Sequence, residues 1–181
     1  MPKTASPPHK ARTAPSRQSD VLALHGAWLA RAAAVAGQPV SRGGSPHPTV
    51  QVGAVLVDRH GHELAAASNR FASGVDRRRP ERYAKGAKSL WINCAEQMAV
   101  AEAERRGVSL KGARLYVTLE PCAVCAGIIA ELGLRDVFVP VNAMRRYARL
   151  KTKWKHSIEI GLTKLAEAGV KVTAIDTKEG P

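Results

Sequence analysis

Ala113-Arg114-Leu115-Tyr116-Val117-Thr118-Leu119-Glu120-Pro121-Cys122-Ala123-Val124-Cys125-Ala126 is the stretch on which the fold turns. Its first half is β-branched and aromatic and predicts a strand over 113–119. Pro121 stands where proline favours the first position of a helix, which runs to about Leu132 and stops at Gly133. A strand feeding a helix directly is the repeating unit of an α/β fold. Cys122 and Cys125 lie one turn apart at that helix start, so both sulfurs aim at one point. The free N–H groups and the dipole of a helix N-terminus favour the thiolate form there.

Working upstream, Cys94-Ala95-Glu96 opens a second helix, Ala95 to Arg106, made of good helix formers and closed by Gly107. Before it, Asn69 to Asn93 is long and charged, with Gly74, Pro80 and Gly86; it reads as a loop holding at most a short helix, and loops of that length are usually functional. Glu63 to Ser68 returns from a strand over Val50 to Val57 through the turn Asp58-Arg59-His60-Gly61, a hairpin. Ser41 to Pro48 is a Gly/Pro-rich connection. Asp20 is placed to cap a helix over Val21 to Ala36, with Leu22, Leu24, Trp28, Leu29 and Val35 as its apolar stripe. Downstream come a strand over Val137 to Val141, a basic segment, a helix over Ser157 to Ala168 and a strand over Val170 to Ile175. The order αββαβαβαβ predicts a mainly parallel sheet with helices on both faces.

The chain has 181 residues and three cysteines, a formal charge of +13 and 45% hydrophobic residues. That length suits one domain with one core. We expect a disordered basic tail over 1–19, one domain over 20–176 and a short tail over 177–181. The first residues are basic and free of acids, as a transit peptide is, but their prolines argue against an amphipathic helix. No apolar run approaches a membrane span, and no secretory leader is visible; a cytoplasmic protein without membrane contact is expected. In that setting an odd number of cysteines, two of them in C-x-x-C, points to metal or redox chemistry rather than disulfides.

The three thiols make a ligand set for Zn2+. Cys94 joins Cys122 and Cys125 from the neighbouring helix, and three protein ligands leave one tetrahedral position for water, as catalytic zinc sites do. Zinc lowers the pKa of such water to about 7. Glu96 lies two residues past a ligand and is placed to take the water's proton. C-x-x-C alone also fits a redox pair or half of a structural zinc knuckle. A structural zinc needs a fourth ligand, and His25, His47, His60, His62 and His156 lie outside both helix starts without ligand spacing.

Through these motifs the sequence resembles the cytidine and deoxycytidylate deaminase superfamily, from about Val50 to Val172. The zinc motifs are highly specific for it. The deoxycytidylate (dCMP) deaminase branch is favoured by Gly74-Val75, Pro80-Glu81-Arg82-Tyr83, Ala87-Lys88 and Trp91-Ile92, by Thr118 to Ala126, and by Trp154-Lys155, Ser157 and Glu167-Ala168-Gly169-Val170. The resemblance implies a three-layer α/β/α sandwich around a mixed five-stranded sheet and one Zn2+ per chain. It implies attack on C4 of a cytosine-type base and loss of ammonia, with Glu96 as proton shuttle. It places Asn69 and the backbone of Ala95 and Cys122 as substrate contacts, and implies a homo-oligomer by analogy.

Two departures carry consequences. The branch has His where this chain has Cys94, so three thiolates give the loaded site a charge of −1; compensating hydrogen bonds to the sulfurs, from helix amides or an Arg, are expected. Ser68-Asn69-Arg70 also lacks the aromatic-plus-Gly setting usual around this Asn. The partner is expected to be a small anionic nucleotide, with phosphate contacts from the Arg77–Arg82 loop. Arg77, Arg78, Arg79, Arg82, Lys85 and Lys88 form one basic cluster; Arg145, Arg146, Arg149, Lys151, Lys153 and Lys155 form another. The charge also fits a tRNA or other nucleic-acid deaminase, although 4% aromatic residues leave few rings for stacking bases. A deaminase of another base or of a pteridine-type molecule, and a non-catalytic zinc fold, are the remaining readings.

Overall fold

Five small and branched residues, Gly53 to Val57, form strand β1, and all five are buried. A computed structural model describes residues 17–84, 86–141, 143, 145 and 150–177. Asp58 turns the chain after β1: its Oδ1 accepts the backbone N–H groups of His60 and His62, at 2.7 and 2.9 Å. The chain returns as β2 (Glu63–Ser68). Three further strands complete one sheet: β3 (Arg114–Val117), β4 (Asp136–Pro140) and β5 (Lys171–Ile175), in the order β2-β1-β3-β4-β5.

The sheet is mixed, not mainly parallel. β1 is antiparallel to both β2 and β3, whereas β3, β4 and β5 are parallel. The alternation rule still holds for the crossovers. β2 and β3 run the same way, joined through helix α3 (Ala95–Arg105), but β1 has been inserted between them.

Helix α1 (Arg17–Gly37) covers one face. It begins before the Asp20 cap expected from sequence, so Asp20 lies in its first turn; residues 1–16 lie outside the described residues. Gly53 explains how closely α1 lies on β1, because a Cβ there would stand 1.8 Å from the Ala32 carbonyl oxygen. Leu29 and Ala32 pack against Val55, Val57, Tyr116, Phe138 and Ile175. His25 Nδ1 meets the Tyr116 hydroxyl at 2.9 Å and stacks on Phe138.

The other face carries α3, α4 (Ala123–Glu131) and α5 (Thr152–Glu167). Their apolar sides, including Met98, Ala99, Ala126, Ile129 and Leu165, bury the opposite faces of the strands. The helix expected from Ser157 thus starts at Thr152 and takes in part of the basic segment. The helix expected from Pro121 starts two residues later, with Cys122 as its N-cap residue; the proline fixes the approach of the chain rather than the first turn.

The stretch 69–93 is held together by its own contacts. It contains a 3-10 turn, Pro80–Tyr83, and a short helix α2, Lys88–Trp91. Arg70 and Asn93 form an antiparallel bridge that closes its ends. Arg82 lies 4.1 Å from the Trp91 ring centroid and donates to the Asp76 carbonyl, and the Tyr83 hydroxyl donates to the Arg77 carbonyl at 2.9 Å. No helix among the described residues is long and apolar enough to cross a membrane.

Candidate metal centre

Each thiol reaches the site from a helix start. Cys94 is the N-cap of α3: the Gln97 backbone N–H donates to its sulfur, and its own N–H donates to Gln97 Oε1 at 3.1 Å. This is a capping box with sulfur in place of the usual hydroxyl. Cys122 caps α4, and the Cys125 and Val124 backbone N–H groups point at its sulfur. The expected hydrogen bond from a helix amide to sulfur is thus formed in the capping box of α3.

The sulfurs of Cys94, Cys122 and Cys125 all lie within 4.8 Å of one another, and Cys94 Sγ to Cys122 Sγ is 4.0 Å. Tetrahedral zinc with sulfur ligands at about 2.3 Å needs sulfurs about 3.8 Å apart. The three fit one ion with a small inward shift. Among the described residues no fourth His, Cys, Asp or Glu joins the cluster; a tetrahedral ion held here keeps one open corner.

The thiols act on one another through hydrogen bonds. Hydrogen bonds from Cys125 and Cys94, and then from the α4 amides, hold the Cys122 thiol far below its ordinary range. The hydrogen bond to Cys122 pushes both Cys94 and Cys125 upward.

Glu96, in the first turn of α3, is 6% exposed. Burial raises its carboxyl to about 7, with Cys122 adding to the rise and the Cys125 side chain opposing it. It interacts with the Cys122 and Cys125 side chains and is not one of the three clustered ligands. Ala95, also fully buried, is the first helical residue of α3.

Asn69 is 7% exposed and both ends of its amide are engaged. Oδ1 accepts the Val52 N–H and Nδ2 donates to the Val50 carbonyl, each at 2.9 Å. It holds the segment that leads into β1. His47 fastens the same segment, its Nδ1 accepting the Val50 and Thr49 N–H groups at 2.9 and 3.2 Å. Sequence reading overlooked His47 in this role. It also overlooked Glu120, a buried carboxyl whose two oxygens have no hydrogen-bond partner among the described residues. The Gln97 cap could have been found, since C-x-x-Q has the spacing of a capping box.

The basic loop is partly self-neutralised. Arg78 and Arg79 approach Asp76 at 3.2 and 3.6 Å, and Arg79 approaches Glu81 at 3.7 Å. Arg70 and Arg77 line a cleft of about 300 Å³ with Gly43, Gly44 and Ser41. Lys85, Arg146 and Arg149 lie outside the described residues.

The sequence profile of the cytidine and deoxycytidylate deaminase zinc-binding region matches residues 27–141. The chain belongs to this family. A deaminase named for the luxG 3′ region of Aliivibrio fischeri is 31% identical over 131 residues, 71% of this chain and 82% of that protein. A probable deoxycytidylate deaminase of Drosophila melanogaster is 34% identical over 103 residues, about half of each chain. The dCMP deaminase of cyanophage S-TIM5, crystallised with dCMP and dUMP, shares the fold with a TM-score of 0.61 at 23% identity, over 82% of this chain and 93% of that one. The family is one of deaminating enzymes with a zinc-binding region, and the three cysteines supply the metal site.

Proposed function

We propose that this deaminase-family enzyme hydrolyses a cytosine nucleotide of the dCMP type to its uracil counterpart, releasing ammonia. The observation that carries this reading is Glu96: a buried carboxyl beside the Cys122 and Cys125 thiols, outside the ligand set, with a pKa raised to about 7. Cys94, Cys122 and Cys125 would hold a zinc ion, which would supply the Lewis acidity that makes water nucleophilic at neutral pH. Glu96 takes a proton from that water as its oxygen adds to C4, and delivers it to the ring nitrogen. It then carries the second proton to the amino group, which leaves as ammonia as the C4 carbonyl forms. An acid poised near neutrality suits both directions of transfer.

In this reading the N–H groups at Ala95 and Cys122, each at a helix start, steady the base and the developing charge. Asn69, while holding the 50–52 segment, offers its remaining lone pair and proton to the substrate. Arg70 and Arg77 line a cleft whose size and charge suit a small phosphate. The substrate bound by the S-TIM5 enzyme and the names of the insect and phage relatives favour dCMP. A homo-oligomer is proposed by analogy with the superfamily.

The charge of +13 favours one second reading, a nucleic-acid deaminase. Ammonia release screened over dCMP, CMP, cytidine, cytosine, adenosine and guanine, with a salt-dependent gel shift on tRNA and single-stranded DNA, separates the two. Release from dCMP without tight polynucleotide binding is expected. Turnover confined to a polynucleotide would overturn the mononucleotide reading.

A further inference from the structure

Cys122 caps α4 without a side-chain cap bond of its own. The first helical amide, that of Ala123, therefore needs a partner from elsewhere. Ser157 of α5 supplies it: its Oγ accepts the Ala123 N–H at 3.2 Å. Two turns along, Lys164 Nζ donates to the Ala123 carbonyl at 3.3 Å. Both peptide groups flanking Ala123, between the two cysteines, are therefore gripped by one helix.

Gly161 lies between them, at the spacing that puts 157, 161 and 164 on one helix face. A Cβ at Gly161 would stand 2.4 Å from the Pro121 carbonyl oxygen and 3.0 Å from the Cys122 carbonyl carbon. The missing side chain is what lets α5 lie directly on the turn that carries Cys122.

The charge of Lys164 runs against ordinary helix electrostatics, which favour anions and not cations at an N-terminus. Its hydrogen bond to the Ala123 carbonyl is what holds it there. We propose that the row Ser157, Gly161 and Lys164 is a brace that sets the positions of Cys122 and Cys125. These are positioning residues that act through Ala123 without touching the metal.

The test uses the full-length zinc protein and reads metal binding, so it does not depend on which substrate is turned over. Zinc affinity is measured by competition with a chromophoric chelator, and site geometry by the visible bands of the cobalt-substituted protein. Ser157→Ala and Lys164→Met are each expected to weaken zinc binding about tenfold, the lower end for groups that orient metal ligands, and to shift the cobalt bands. Ser157→Thr and Lys164→Arg are expected to restore both. Lys164 is exposed, so its variants keep the test open if Ser157→Ala fails to fold. The proposal is overturned if affinity and cobalt bands stay as in the wild type. It is equally overturned if affinity falls only in step with the thermal stability of the metal-free protein.

Discussion

The two helix starts that meet at the metal site are built differently. At α3 the cap closes on itself: Cys94 and Gln97 exchange hydrogen bonds across three residues. At α4 the sulfur is served locally, but the peptide beside it is held by Ser157, 34 residues away in sequence. One ligand is positioned by a motif and the other two by tertiary packing. A site assembled this way places Glu96, the proposed proton carrier, on the locally determined side.

The sharpest test of that contrast removes ligands. Cys94→Ala and Cys122→Ala should each abolish stoichiometric zinc and activity, as read by elemental analysis and ammonia release; zinc retained by Cys94→Ala would mean that α3 contributes chemistry but no metal ligand. Next in size, Glu96→Gln should keep its zinc and lose about 100- to 10,000-fold in kcat. Zinc lost together with activity would make Glu96 part of the metal shell.

Stability changes at the two ends should be smaller and of opposite sign within one interface. Gly161→Ala forces a methyl against the Pro121 carbonyl and should cost about 1–3 kcal/mol in urea unfolding. Gly127→Ala, in α4, meets only Lys164 Nζ at 4.0 Å, and should stabilise by up to about 1 kcal/mol through helix propensity. At α3, Gln97→Ala should cost about 1 kcal/mol, with the loss confined to that helix end.

The smallest effect concerns the segment that Asn69 and His47 fasten. Burial, with Lys88 adding to it, holds His47 down at about 4 from an ordinary 6.5. The folded state therefore resists protonating it. Its contribution to stability is full above pH 6.5 and is lost as pH falls toward 4. Across that window the melting temperature of His47→Gln should fall less steeply than that of the wild type. Parallel curves would remove His47 from the account.

Legibility in the sequence followed the same division. Strand and helix order, the three cysteines and the placing of Glu96 could be read because each depends on neighbours within a few residues. The mixed sheet could not be derived from alternation alone, because the position of β1 between β2 and β3 is a matter of long-range pairing. The starts of α1, α4 and α5 shifted for local reasons: Asp20 sits within a helical turn instead of ahead of it, and the N-cap of α4 is Cys122 itself. The arginine cluster read as a phosphate clamp because charge is visible in sequence, while its pairing with Asp76 and stacking on Trp91 are not. Ser157 and Lys164 could not be linked to Cys122 without the packing of α5 on α4.

The sulfurs of Cys94 and Cys122 belong to segments 28 residues apart, with β3 threaded between them. An ion gripped by both is a removable rivet between two helix starts on one face of the sheet. Because the unfolded chain offers no ready-made cage, occupancy adds to the lifetime of the native state by mass action. Zinc scarcity would thus withdraw turnover and mechanical security together, and the quantity of intact protein would follow the metal supply.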